Sequence, residues 1–304
     1  RIEVYMKVIC IGHIAYDITF PVSRVPEENT KIRTTHHVEC GGGPMRNAAL
    51  PLAFWHSNVE LCGMIGNDYQ GEQIINELKH LGIGTKYIVK RNDIPTDQAV
   101  ILAATNGTRT IVTSVKPKEH PLIKISENFD GILIDGEEYQ TSQQVLKNNK
   151  TALSIIDAGK YNSEVISLAH KVNVVACSKE FAEKFSQEKI DPSNMEQLKN
   201  IHRKLENEFK NIVIITLEEY GSFTKIGNEY KLIPSMKVNT VDSSGAGDIF
   251  HGALLYFMLM NYSLEDSIKL SNICGALATT RLGNKDFNFP LTKILKYGGV
   301  NDII

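Results

Sequence analysis

Apolar positions along the chain fall into short runs of strand length, separated by polar or helically periodic stretches. Lys7–Ile11 and residues 59–64 are such runs, and so are 131–135, 152–157, 172–176 and 212–217. Continuous apolar runs of this length read as strands buried on both faces, as in a parallel sheet. Between them, residues 73–81 place Ile74, Ile75, Leu78 and Leu81 on one helical face and stop at Gly82, a favourable residue just past a helix end. Residues 249–260 are apolar throughout and predict a buried helix, whereas 184–210 read as a polar, helix-favouring surface stretch. Strands alternating with helices imply an α/β fold, a doubly wound and mostly parallel central sheet flanked by helices.

Two segments break that rhythm. Residues 30–40 and 96–115 are polar or alternating and rich in Thr and β-branched residues, and the second contains Asn106-Gly107, a strong hairpin signal. With residues 16–20 they predict a small antiparallel sheet, discontinuous in sequence, standing as a lid over the strand ends where ligands bind. The α/β unit is expected to span 6–304, with residues 1–5 read as an extension before Met6-Lys7.

Composition fits a globular protein: 304 residues, 42% apolar and 22% charged, which excludes disorder and fibrous repeats. A net charge of −2 lacks the broad basic field of a nucleic-acid binder, so no nucleic-acid partner is expected. No apolar run reaches the roughly 18 residues of a membrane span, and no targeting segment is evident, so a soluble, cytoplasmic protein without a membrane partner is expected. Cys10, Cys40, Cys62, Cys177 and Cys274 are odd in number, widely spaced and without a CxxC pair, and read as reduced, mostly buried thiols.

The most informative segment is Asp242-Ser243-Ser244-Gly245-Ala246-Gly247-Asp248, directly before the apolar helix. Small residues entering a helix leave backbone N–H groups uncovered, and with the helix dipole these favour a phosphate or a developing oxyanion. Asp248 falls in the first turn, where the same dipole should keep its carboxylate ionised and able to take a proton from a hydroxyl. An anion cradle beside a base suits phosphoryl transfer. A Gly-softened turn with Asp248 as an ordinary first-turn acid is the plainer alternative.

A second glycine-rich segment is Gly41-Gly42-Gly43-Pro44-Met45-Arg46-Asn47. Its glycines imply close backbone approach, and Pro44 marks a helix start. The Asn47 amide could bind two hydroxyls. An ordinary glycine-rich turn fits as well. Pro51 lacks the N–H that the Asn47 carbonyl would accept, so a kink is expected there.

These residues together resemble the PfkB, or ribokinase, family of carbohydrate kinases. The likeness runs collinearly from Gly12 to Asp17, through Gly42-Gly43 to Asn47 and Gly66-Asn67-Asp68-Tyr69-Gln70-Gly71. It continues with Leu81-Gly82-Ile83 and the Asp242 to Asp248 segment, and ends at Thr280-Arg281-Leu282-Gly283. The resemblance implies a ribokinase-like core, a β lid that commonly forms a homodimer interface, and ATP-dependent phosphorylation of a primary hydroxyl of a sugar-like alcohol. By position, Asp248 is the base and Gly245, Ala246 and Gly247 are the anion hole. Asp17, Gly42, Gly43 and Asn47 match substrate-contacting positions, while Thr216, Gly221 and Gly283 match nucleotide-lining ones. Asp242 and Ser244 match ligand positions of a monovalent cation such as K⁺, and Mg²⁺ should accompany ATP. A nucleoside kinase of the same fold is the alternative enzyme, and a non-catalytic sugar or nucleotide sensor the alternative outside enzymes.

The chain departs from the family pattern in three places. Ser178-Lys179-Glu180 stands where Asn-x-x-Glu is usual, and this shifts Glu180, the residue matching a magnesium-linked role, by one position. Glu218 replaces a glycine near the expected nucleotide. Arg46 occupies a position where a small residue is more usual, and either reaches an anionic group on the substrate or is an ordinary solvated arginine. His13, His251 and the pair His36-His37 are read as structural or solvent-facing, because nothing supplies a paired nucleophile.

Overall fold

The computed structural model describes residues 6–105, 107–114 and 120–301. The chain opens with β1 (Lys7–Ile11), β2 (Ala15–Val22) and β3 (Val38–Gly42), followed by α1 (Pro44–Phe54), β4 (Asn58–Gly66), α2 (Tyr69–His80) and β5 (Gly84–Arg91). Next come β6 (Gln98–Ala104), β7 (Arg109–Thr113), β8 (Gly131–Ile134), α3 (Tyr139–Asn148), β9 (Leu153–Ala158) and α4 (Ser163–Ala169). They are followed by β10 (Val174–Ser178), α5 (Lys179–Ser186), α6 (Met195–Phe209), β11 (Ile212–Thr216), β12 (Ser222–Ile226) and β13 (Glu229–Ile233). The chain closes with α7 (Ala246–Leu259), α8 (Leu264–Ala278) and α9 (Leu291–Gly298).

The central sheet has the order β13-β12-β11-β10-β9-β8-β1-β4-β5, parallel from β11 to β5, with β12 and β13 added antiparallel at one edge. Alternation along each strand feeds two cores. Val8 and Cys10 of β1 join one with α1, α7 and α8, whereas Ile9 and Ile11 join the other with α4 to α6. β9 divides in the same way, Ile155 facing one core and Ile156 the other. All five cysteines are buried free thiols.

Sequence expectations hold for the core and need correction in two helical stretches. The helix expected from residue 73 begins at Tyr69, because Asp68 caps it by accepting from Gly71 N at 2.8 Å. The stretch 184–210 is more than surface, since α6 is amphipathic and buries Leu198, Ile201, Leu205 and Phe209. Pro51 lies within α1, which continues to Phe54.

The small sheet has the order β3-β2-β6-β7. It is not wholly antiparallel: β2 and β6 pair in parallel, because the chain reaches β6 only after the long crossover through α1, β4, α2 and β5. Of residues 30–40 only 38–40 are strand. The expected hairpin is the antiparallel pair β6 and β7, with Gly107 at φ +83°; Asn106 lies outside the described residues, as do 1–5 and Val115. Period-two alternation gives this sheet two faces. Asp17 pairs with Ala99, Ala99 with Thr113 and Ile101 with Ile111, and all five side chains face the core's cavity.

No helix among the described residues is long and apolar enough to cross a membrane.

Candidate active site

A cavity of about 830 Å³ lies between the small sheet and the carboxyl ends of the core strands. His13 follows β1, Asp135 follows β8, and Asp157, Ser178 and Thr216 lie at the ends of β9, β10 and β11; all five line it. Ligands in doubly wound sheets bind at this edge, where side chains and loops leave the strands together.

Gly245 to Asp248 form one wall. Gly245 caps α7 in a left-handed conformation, φ +70°, and a Cβ there would lie 2.3 Å from Asn284 Nδ2, so glycine meets both a torsional and a steric demand. The first helical hydrogen bond runs from Ile249 N to the Gly245 carbonyl at 2.9 Å. The N–H groups of Ala246, Gly247 and Asp248 therefore have no helical acceptor and are available to an anion.

Asp248 is half-buried, and its Oδ2 accepts from Asn47 Nδ2 at 2.9 Å. Burial pushes its carboxyl up to about 6 and the neighbouring Asp157 charge adds to this, while the Asn47 hydrogen bond opposes it. Desolvation is the largest cause, and the group remains mostly ionised at pH 7. Asp17, buried on β2, is pushed up to about 7 by burial despite the Arg46 charge. Gly42 passes directly beneath it: a Cβ there would sit 2.1 Å from the Asp17 carboxylate.

The structure brings together Asp17, Gly43, Asn47, Thr216, Ser244, Gly245, Ala246, Gly247 and Asp248 on the cavity wall. Gly42, Gly221, Gly283 and Asp242 are not among its lining residues. Asp242 accepts from Ser244 N at 2.9 Å and from Gly283 N at 3.0 Å, tying the turn before α7 to the loop after α8. Gly221 closes the turn after β11, where Glu218 holds φ +55°, the conformation that the usual glycine would favour. Glu180 is exposed on α5, pairs with Lys184 at 2.6 Å and does not line the cavity.

Arg46 is neither solvated nor turned toward a ligand. It is fully buried and its guanidinium is held by Glu77, the Asn284 and Lys285 carbonyls and Asn47 Oδ1.

These features match one known family over most of the chain: residues 6–289 fit the model of the pfkB family carbohydrate kinases. The chain belongs to the pfkB family of carbohydrate kinases. A fructokinase of Vibrio alginolyticus is 24% identical over 91% of this chain and 96% of its own length. A putative ribokinase from Agrobacterium tumefaciens superimposes with a TM-score of 0.87 at 20% identity, covering 97% of both chains. Arabidopsis thaliana ribokinase, solved with ribose and ATP, gives 0.78 at 21% identity over 98% of this chain and 100% of that one. The fold is accordingly that of ribokinase, with its lid sheet.

Asp157 and Arg109 of this cavity escaped the sequence reading. Asp157 ends a buried strand at the ligand-binding edge of the sheet, and that position was the available signal. His251, expected to be structural or solvent-facing, is buried; its Nδ1 lies 3.3 Å from Asp157 Oδ2, and although burial opposes the charged form, the Asp157 carboxylate raises its pKa. Arg109, at the start of β7, reaches from the lid to the Ser243 carbonyl and lies 3.4 Å from Ser243 Oγ. Only alternation along β7 marks it as inward-facing. His13 pairs with Asp97 at 3.0 Å and also lines the cavity, whereas His37 is exposed and pairs with Glu39.

Proposed function

We propose that this carbohydrate kinase transfers the γ-phosphoryl group of ATP to a primary hydroxyl of a sugar. Asp248 takes the hydroxyl proton as the sugar oxygen attacks phosphorus. A new O–P bond forms, the bond to the bridging oxygen of ADP breaks, and that oxygen keeps the electron pair. Charge developing on the transferred group meets the N–H groups of Ala246, Gly247 and Asp248. Asp17, Gly43 and Asn47 face the sugar, and Thr216 lines the nucleotide end. The observation that carries this reading is the Asp248 carboxylate beside those unpaired amides, on one cavity wall with Asp17 and Asn47.

Support for ATP comes from the ribokinase solved with ribose and ATP. Mg²⁺ would be held chiefly by phosphate oxygens and offset their charge. Among the described residues no group of three His, Cys, Asp or Glu side chains is arranged for a metal, and Glu180 faces away. A monovalent cation fits beside Asp242 and Ser244, since Ser244 Oγ is buried with no hydrogen-bond partner. A homodimer through the lid belongs to the same reading: Val100 and Val112 are paired across β6 and β7 and exposed on the face turned from the cavity. Tyr139 is the single Phe, Tyr or Trp among the described lining residues, which favours a sugar over a nucleoside stacked on aromatic rings.

The test is ATP consumption against a panel of neutral sugars, acidic sugars and nucleosides, with Asp248→Asn in parallel. A neutral sugar should be turned over fastest, and the variant should bind ATP with most turnover lost. Near-normal turnover by Asp248→Asn, or ATP consumption with no member of the panel, overturns the reading.

A further inference from the structure

We infer that Arg46 is a positioning residue, a buried guanidinium that fixes which way the Asn47 amide faces and thereby directs its N–H₂ at Asp248. This rests on the phosphotransfer role proposed for Asp248.

An amide has an acceptor end and a donor end of nearly equal size, so packing alone chooses poorly between its two orientations. Here the choice is made chemically. Arg46 Nη1 donates to Asn47 Oδ1 at 3.1 Å, and Asn47 Nδ2 donates to Asp248 Oδ2 at 2.9 Å. Turning the amide over would set its N–H₂ against guanidinium N–H groups and its oxygen against the Asp248 carboxylate. Both new contacts would be repulsive.

The guanidinium is itself held from three directions. Nη2 pairs with Glu77 of α2 and donates to the Lys285 carbonyl at 3.0 Å, while Nη1 also donates to the Asn284 carbonyl. Glu77 is anchored in turn by accepting from Gly41 N at 3.0 Å. A planar fork with several donors meets these partners together, whereas an ammonium cannot. A first-turn arginine with no more than a packing role would not require its plane to be set this way.

The experiment is a double-mutant cycle on the full chain with MgATP and the sugar of the panel that is turned over fastest. Arg46→Lys keeps a cation opposite Glu77 so that the chain folds, but loses the fork. Arg46→Lys and Asn47→Ala should each lower kcat by about 10- to 100-fold, the scale of a misplaced reacting group, with the KM for ATP little changed. The double variant should be no slower than the slower single one, because Arg46 acts through Asn47. A structural role alone would lower thermal stability and multiply the two kinetic effects. A second measurement is independent of turnover: the Asp248 carboxyl, followed by ¹³C NMR and assigned with Asp248→Asn, should titrate at higher pH in Arg46→Lys than in wild type. The other charged groups facing it, Asp157 of β9, His251 of α7, Arg109 of β7 and Asp17 of β2, are the same in both proteins. Multiplying effects, an Arg46→Lys kcat within twofold of wild type, or an unmoved titration overturns the inference. Loss of the proposed function itself would show separately, as a wild-type enzyme idle on the panel or an active Asp248→Asn.

Discussion

Asn47 donates from Nδ2 to Asp248 Oδ2 at 2.9 Å, joining the first turns of α1 and α7 across 201 positions of sequence. The two helices pack closely enough for this: a Cβ on Gly252 of α7 would lie 1.9 Å from the Ala48 carbonyl oxygen of α1. One side chain thereby faces both the cavity and the proposed base.

The rate should follow the ionisation of Asp248. With its carboxyl pushed up to about 6, kcat/KM should hold near neutral pH and fall about tenfold per pH unit well below that value. A pH–rate profile on the free enzyme checks this. A limb near pH 4 would mean that desolvation does not govern the group.

Folding stability should move the opposite way. Asp17 and Asp248 titrate at about 7 and about 6 in the folded chain, above the roughly 3.9 of an unfolded aspartate. The folded state therefore binds more protons between those values, and stability contributed by these groups is lost as pH rises through the window. Asp17→Asn should raise Tm at pH 8, on a scale of about 2–4 °C per kcal/mol for a large domain, and raise it much less at pH 5. Thermal melts at the two pH values decide it.

The two glycines of the proposed anion hole should separate folding from function. A Cβ at Gly247 meets nothing within 4 Å, so Gly247→Ala should melt normally yet lose turnover wherever phosphate occupies that space. Gly245→Ala combines a positive φ with the collision at Asn284, and should lose about 1–3 kcal/mol of stability. Melting curves and kinetics on the two variants give the comparison.

Arg109 is exposed and reaches from the lid to Ser243. Arg109→Gln should leave Tm within about 1 °C, as for most surface substitutions, while kcat/KM for the sugar falls through weaker lid closure. Unchanged kinetics would remove the lid contact from the mechanism.

Much of the core was legible because its signals are local. The apolar run Lys7–Ile11 and the later β8 to β11 are buried on both faces, so nearly every residue is apolar and little else fits the pattern. The lid was legible only in outline, because the β2 and β6 pairing joins segments that alternation can mark as strands but cannot orient. Glu218 shows a different limit: the type of residue changed, yet the backbone kept φ +55° because the turn ending at Gly221 imposes it.

By itself the sequence determined the α/β architecture, the small-residue entry into α7 and the position of Asp248 in its first turn. Each depends on residues within a few positions of one another, where periodicity and backbone permissiveness decide the outcome. Tertiary structure alone decided that Arg46 is buried against Glu77, that Asp157 and Asn47 shift the Asp248 pKa in opposite directions, and that Arg109 crosses from the lid to Ser243. Those outcomes depend on desolvation and on charges brought together from distant segments. The raised pKa of Asp248 is of the same kind, since a helix dipole is read from one turn of chain but burial is set by all of it.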